Sequence, residues 1–570
     1  MKKNGLRFPS VILVAGILGA TTLFSGVSNA ETSGKFMISA ANPLAAQAGF
    51  DILAKGGSAV DAAIATQLVL TLVEPQSSGI GGGAFMLHYA ANDKAVQSYD
   101  GREMAPAAVR DDHFLKTDGK PQKFYDAVVG GKAVGAPGLL AMLEMAHKNH
   151  GNLPWKDLFQ AAITLSEDGF AISPRLYFLL DRDKFLKTKA AARTYFYNAD
   201  GTAKAAGTIL KNPALAHTLR MIADQGAKAF YEGDIARQII DAVKSDSGNP
   251  GLLTEQDLAN YKAKERLPVC LPYRENTVCG MGPPTSGGVT SLQILKLLEK
   301  TEIAAQQPGS LDAIHLISEA SALAFADRGK YLADADFVSV PVKALLGDAY
   351  LSKRRALIQT GKTNIPFTAG EPQKKKADLT PDDAIELPST SHFSIVDGQG
   401  NAVSMTTSVE NVFGSRLMAG GFILNNQLTD FSFRPVGDDG PVNNRIEPGK
   451  RPRSSMTPTL VLDGDNELLA AVGSPGGSRI IGYVTKTLIA ILDWDLSMQE
   501  AINLPHHVNR NGTLDLEKDS DLLTHTSALE KMGYKVKSRG LSSGLHGILV
   551  KGNILSGGAD PRREGVVLAN

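Results

Sequence analysis

Residues 391–409 read SHFSIVD, GQG and NAVSMTTSV: two runs of strand-like alternation joined through the turn DGQGN. If Asp397 stands opposite Asn401 in such a hairpin, extending the register sets Thr390 opposite Ser408. Directly opposed residues hold their Cβ atoms about 4.5–5.5 Å apart, within reach of hydroxyl-to-hydroxyl hydrogen bonding, and a slip of one residue removes the contact. Ser389 and Ser391 flank Thr390, and small hydroxyl residues are also ordinary loop chemistry where a loop enters a strand.

The hairpin sits in a chain large enough to bury it. The 570 residues are 43% hydrophobic and carry 59 basic and 59 acidic side chains, a balance that gives no reason to expect a nucleic-acid partner. Lys2, Lys3 and Arg7 precede an apolar run over residues 8–24, and Ser28-Asn29-Ala30 supplies small residues for a signal peptidase. Residues 1–30 are therefore read as a signal peptide, and the mature protein as periplasmic or secreted with no membrane span. Cys270 and Cys279 are the two cysteines, and in an exported chain they can close one small loop. A metal site needs more ligands than that pair supplies. His506 and His507 are neighbours that a strand would point to opposite faces, so they read as structural.

Along the chain, helices alternate with strands. Ser58 reads as the N-cap of a helix with Val60, Ile64 and Leu68 on one face, and a second helix follows Pro154 with Leu158, Ala162 and Leu165 aligned. Further helices are expected at about 291–301 and 310–333, and strands at 84–90, 391–397, 401–409 and 547–550. Residues 373–388 read as a surface loop. The glycines Gly79-x-Gly81-x-x-Ala84, with Asp100 downstream, imitate a dinucleotide fingerprint in reversed context: the helix precedes them and the strand follows. They read instead as a tight backbone passage.

A mid-chain Thr has nothing in its own peptide to take its proton. A cut before Thr390 would place an α-amino group, of reference pKa about 7.7–8.0, on the residue that bears the hydroxyl. An N-terminal Thr can thus activate itself. The hydroxyl can also make that cut, by attacking the Ser389 carbonyl to give an ester that water opens.

Thr390-Ser391-His392-Phe393-Ser394, GNAVSMTTSVENVFGSRL, LNNQLTDFS, KRPRSSMTPT and GSPGGSRII resemble successive motifs of the γ-glutamyltranspeptidases (glutathione hydrolases), N-terminal-nucleophile hydrolases. SYDGREMAPAA, GGSAVDAA with GGGAFML, MGPPTSGG and GGADPRREG resemble the family in the same order. The resemblance implies an αββα sandwich made as a zymogen and cut between Ser389 and Thr390 into a large subunit, 31–389, and a small subunit, 390–570. It implies Thr390 as nucleophile with Ser408 beside it, and Gly476 and Gly477 as the oxyanion hole. Glycine there lets backbone N–H groups approach a developing charge with no Cβ in the way.

The resemblance further assigns the γ-glutamyl α-carboxylate to Arg102, Ser454 and Ser455, and the α-ammonium to Glu410, Gln427 and Asp430. An Arg fork suits a carboxylate, and together these residues supply both signs a zwitterion requires. The implied donors are glutathione and related γ-glutamyl compounds, the acceptors water, amino acids or dipeptides, and no cofactor is called for. Two positions depart from many bacterial members, which carry Thr where this chain has Ser408; some carry Asn where it has Glu410. Residues 430–452 lie where many members carry a lid, here short and without Tyr, which implies a more open site. A glutaryl or cephalosporin-type acylase of the same fold, and a non-catalytic periplasmic binding protein, are the competing readings.

Overall fold

The computed structural model describes residues 29–32, 34–373, 379–382, 384–387 and 389–570. In chain order its main strands are β1 (Asn29–Thr32), β2 (Met37–Ala40), β3 (Gly83–Ala90), β4 (Ala95–Gly101), β5 (Lys264–Arg266), β6 (Val269–Tyr273) and β7 (Asn276–Gly280). There follow β8 (Ser391–Val396), β9 (Ala402–Ser408), β10 (Thr459–Leu462), β11 (Leu468–Gly473), β12 (His546–Lys551), β13 (Ile554–Ala559) and β14 (Val566–Ala569). They form two seven-stranded antiparallel sheets, ordered β14-β2-β8-β9-β3-β4-β5 and β1-β13-β12-β11-β10-β7-β6.

The hairpin adopts the expected register. Ser391 pairs with Thr407 and Val396 with Ala402, which carries Thr390 opposite Ser408 one step beyond the ladder. Both strands are buried along their whole length, because the hairpin occupies the middle of its sheet and is covered on both faces. On the inner face the two sheets meet through Met37, Leu87, Val396, Leu460, Ala471, Ile548 and Leu555. On the outer face of the hairpin's sheet lie α1 (Pro43–Ala54) and α2 (Ala59–Val73). The other sheet is covered by α3 (Gly287–Leu298), with α4 (Leu311–Tyr331) packed on α3, and by α5 (Ile480–Leu492) and α6 (Met498–Asn503). The layers are therefore α, β, β, α.

Ser58 caps α2 as its sequence predicts, in a capping box with Asp61. The segment after Pro154 differs: it opens as a 3-10 turn, Trp155–Phe159, and becomes α-helical only over Gln160–Asp168. Tight turns of this kind are frequent at helix N-termini, and Leu158 and Ala162 still share the core. The helix expected near 291 starts earlier, at Gly287. Its two glycines serve as contact points, since a Cβ on Gly287 would meet the Met456 carbonyl oxygen at 2.3 Å and one on Gly288 the Met281 carbonyl oxygen at 2.4 Å. The passage before β3 is as tight: a Cβ on Gly81 would lie 2.1 Å from the Ile423 oxygen, and one on Gly82 2.1 Å from the Ser408 oxygen. Asp100 is spent on buried ion pairs with Arg266, at 2.7 Å, and Arg451.

Cys270 on β6 and Cys279 on β7 face each other across the ladder and are bonded. His506 and His507 are buried, with His506 Nε2 2.6 Å from Ser543 Oγ, and burial holds both imidazoles below their ordinary range. The apolar run of residues 8–24 and Ser28 lie outside the described residues, whereas Asn29 and Ala30 belong to β1. No helix among the described residues is long and apolar enough to cross a membrane.

Asp397 ties the hairpin to α2. Its carboxylate accepts the N–H groups of Gln399 and Asn401 in the turn and that of Ala59 in the first turn of the helix, at 2.9–3.0 Å. It is 2% exposed, so replacement by Ala leaves buried donors unpaired. Asp397→Ala is expected to lower unfolding stability by about 2–3 kcal/mol, read as a shifted urea midpoint, while Asp397→Asn retains about half of that.

Candidate active site

Thr390 immediately precedes β8 and has φ of 119°. A non-glycine residue in that region is strained by about 1–3 kcal/mol and persists only where its surroundings fix it. Three contacts do so. Thr390 Oγ1 lies 3.2 Å from Ser408 Oγ, the Thr390 carbonyl oxygen accepts Arg563 Nη1 at 3.0 Å, and the preceding Ser389 donates its hydroxyl to the Gln76 carbonyl oxygen at 2.8 Å. Ser408 Oγ also accepts the N–H of Glu410 at 2.9 Å, which holds that oxygen in place beside Thr390.

Next to Thr390, Ser391 donates its hydroxyl to Glu74, at the C-terminal end of α2, at 2.5 Å and accepts Ser78 Oγ at 3.1 Å. Burial pushes the Glu74 carboxyl up, against the pull of Arg175 and Arg563. Arg563 is in turn lowered to about 9 by burial and by the charge of Arg175. Glu74 and Arg175 were not signalled in the sequence, because nothing local marks residues brought to the hairpin from over 200 positions away. Arg563 falls within GGADPRREG, so the motif was visible and its contact with Thr390 was not.

A cavity of about 300 Å³, counted with the solvent it opens to, lies beside Thr390. Its walls include Arg102, Ser408, Glu410, Gln427, Asp430, Ser454, Ser455 and Gly477, so nearly all the residues singled out in the sequence converge on it. Gly476 and Gly477 take φ of 138° and 60° at the turn from β11 into α5, a geometry that favours glycine. Arg102 is 1% exposed. Its Nη2 donates to Asp430 Oδ2 at 2.5 Å and to the Arg453 carbonyl oxygen at 2.9 Å, and its Nε to the Pro452 carbonyl oxygen at 3.0 Å. Arg102 and Asp430, expected from the resemblance to hold opposite poles of a ligand, thus pair with each other here. Gln427 Nε2 donates to the same Asp430 oxygen at 2.6 Å, and Asn426, which the sequence reading passed over, donates to Glu410.

Burial raises the carboxyls of Glu410 and Asp430. The Asp430 charge raises Glu410 further, while Arg102 opposes the shift at Asp430. Ser454 is gripped through its backbone by Ser286, whose N–H and hydroxyl both donate to the Ser454 carbonyl oxygen at 2.8 and 2.7 Å.

The same cavity contains Glu386 and Leu387, from the segment before Thr390. Ser455 Oγ donates to Glu386, and Arg328 Nη2 donates both to Glu386 and, at 2.6 Å, to Ser455 Oγ. Burial works against the Glu386 charge, but Arg328 and Arg453 outweigh it and draw the carboxyl down to about 2. A Cβ on Gly477 would lie 2.7 Å from the Leu387 carbonyl oxygen, so this backbone rests against the glycine turn. The short 430–452 segment holds the other end: Thr380 Oγ1 donates to the Gly440 carbonyl oxygen at 3.0 Å and Asn444 Nδ2 to Asp382 at 2.8 Å.

A family model described as Gamma-glutamyltranspeptidase matches residues 45–570. The glutathione hydrolase proenzyme of Bacillus subtilis is 36% identical over 507 residues, 88% of this chain and 85% of that protein. The glutathione hydrolase proenzyme of Escherichia coli is 37% identical over 541 residues, 92% and 90% of the two chains. Among solved structures, a cephalosporin acylase from Bacillus halodurans superposes with a TM-score of 0.82 at 26% identity, covering 100% of this chain and 99% of its own. With a family match over nearly the whole chain and such relatives along it, this protein belongs to the gamma-glutamyltranspeptidase family.

Proposed function

We propose that the chain is a zymogen that cuts itself between Ser389 and Thr390 and then transfers γ-glutamyl groups from glutathione-type donors to water or to amines. The observation that carries this reading is the Thr390–Ser408 hydroxyl pair at 3.2 Å, set in a cavity lined by Arg102, Asp430 and Glu410. In the first step Thr390 Oγ1 attacks the Ser389 carbonyl carbon, its proton passes to the departing Thr390 nitrogen, and water opens the ester. The new α-amine, of reference pKa about 7.7–8.0, then takes the hydroxyl proton at neutral pH. Thr390 Oγ1 attacks the γ-carbonyl, the N–H groups at Gly476 and Gly477 receive the oxyanion, and the leaving amine takes the proton. Water or an acceptor amine releases the acyl group. Export to the periplasm or medium belongs to the same reading.

Acylase chemistry on a glutaryl or cephalosporin-type amide is the second reading, favoured by the superposition on the Bacillus halodurans acylase. The ammonium side of the pocket separates the two. A γ-glutamyl donor carries the α-ammonium that Glu410 and Asp430 are suited to hold, and a glutaryl donor does not. Turnover of γ-glutamyl anilide well above glutaryl anilide supports the first reading; the reverse order establishes the second. Binding of both without a covalent adduct on Thr390 would indicate a non-catalytic binding protein.

Two predictions test the assignment of residues. Thr390→Ala is expected to leave a single inactive chain, whereas the wild-type protein yields a chain whose N-terminal sequencing starts at Thr390; a processed or active variant would falsify the role of Thr390. The second concerns Glu410. Its raised carboxyl must ionise to pair with the donor ammonium, so affinity for a non-reacting γ-glutamyl analogue is expected to tighten as pH rises above the ordinary carboxylate range. Glu410→Gln should weaken that affinity about tenfold or more at pH 7 and flatten its pH dependence, measured as an inhibition constant.

A further inference from the structure

Lys486, on α5, is a buried cation that pairs with no acid among the described residues. It is 3% exposed, and its Nζ donates to two backbone carbonyl oxygens, that of Leu504 at 2.6 Å and that of Pro505 at 3.1 Å. An ammonium carries three N–H groups, so one is left over. The carboxylates whose charge reaches it are Glu517 and Asp560, and both are committed to Arg562: Glu517 Oε1 lies 2.5 Å from Arg562 Nε, and Asp560 Oδ1 3.1 Å from Nη1. Burial and the Arg562 charge draw Lys486 down to about 7. A cation taken out of water is costly to keep unless a counter-charge reaches it.

Lys486 lines a cavity of about 650 Å³, counted with the solvent it opens to, that shares no wall residue with the one beside Thr390. Trp494, Leu504, Pro505 and Leu522 supply apolar wall, and the indole is fixed by a hydrogen bond from Trp494 Nε1 to the Ile303 carbonyl oxygen at 3.0 Å. His507 stands in the same wall, 6% exposed, and its Nδ1 has no hydrogen-bond partner among the described residues. Burial and the Lys486 charge lower this imidazole to about 3, so it is neutral at physiological pH and still carries one N–H. Asp521 also borders the cavity, but it is exposed to water and forms no ion pair with Lys486.

We propose that this cavity binds a small monocarboxylate with an apolar or aromatic body, its carboxylate meeting the Lys486 ammonium and the His507 imidazole and its body lying against Trp494 and Leu522. Two unspent donors suit the two oxygens of one carboxylate, and the apolar walls favour a carbon body over a strongly hydrated anion such as phosphate. The ligand supplies the counter-charge that Lys486 lacks. The site stands apart from the chemistry at Thr390 and holds whichever amide that residue attacks.

The chain has two tryptophans, Trp155 and Trp494, so in a Trp155→Phe variant the indole emission reports on this cavity alone. Titration of that full-length variant with phenylacetate should give a saturable change in emission, and its neutral counterpart phenylacetamide should bind about tenfold more weakly or worse. Adding Lys486→Met, which keeps an unbranched chain and removes the charge, should abolish the preference for the acid. A second arm needs no change at Lys486. Around it stand His506 and His507, both held below the ordinary imidazole range, with Arg562, Glu517 and Asp560, while Asp521 and His525 border the cavity. A span from about pH 7 to about pH 9 lies above the reference range of carboxyl and imidazole groups and below that of guanidinium. The anion favours the ammonium form of Lys486, so phenylacetate affinity should fall about tenfold or more across that span while phenylacetamide is indifferent to it. Quenching that never saturates, equal affinity for acid and amide, or an acid preference that survives Lys486→Met or is flat with pH would overturn the site.

Discussion

The pairing of β8 with β9 is the contact on which the remainder of the molecule depends. Its register puts two hydroxyls at 3.2 Å, and neighbours on every side lock that register. On one flank β9 runs against β3, where Ser408 pairs with Gly83 and a side chain on Gly82 would collide with the Ser408 carbonyl. Across the sheet face α2 lies along the hairpin: Ala59 takes the Asp397 carboxylate at one end, and Glu74 takes the Ser391 hydroxyl at the other. The lengths agree. The 15 residues of α2 span about 22 Å at 1.5 Å each, and the six steps from Ser391 to Asp397 span about 20 Å at 3.4 Å each. A helix one turn shorter could not hold both ends.

How far the sequence could be read follows from the range of each interaction. The hairpin register was legible because alternation and turn lie within twenty residues, and Ser58 was legible as a cap because its partner Asp61 is three residues away. The pocket beside Thr390 was legible only as motifs matched to a family; spacing alone does not bring Arg102 to Asp430 across 328 positions. Glu74, Arg175 and Glu386 escaped for the same reason, each being an ordinary charged residue until folding buries it. The start of the helix at Gly287 escaped because glycine propensity argues against a helix there, and packing against Met456 and Met281 overrides it.

The charges buried in the pocket beside Thr390 are satisfied by each other. Arg102 and Asp430 form an ion pair, Gln427 shares the same carboxylate oxygen, and Asn426 holds Glu410. Glu103, also buried beside Arg102, is pushed up to about 8, so it adds little negative charge at neutral pH. A zwitterionic ligand would enter a site whose two poles are already in place and aligned, which lowers the ordering cost of binding.

The backbone of Thr390 has one more consequence. Its φ angle of 119° is a rotation about the N–Cα bond defined by the carbonyl carbon of Ser389. Scission at that peptide bond, as proposed above, removes the atom that defines the angle, and the torsional strain vanishes with it. Rejoining the two ends would have to rebuild the unfavourable rotamer at a site already crowded by Arg563 and Ser408. The cut is therefore biased in one direction by local conformation, as a ratchet is by the slope of its teeth.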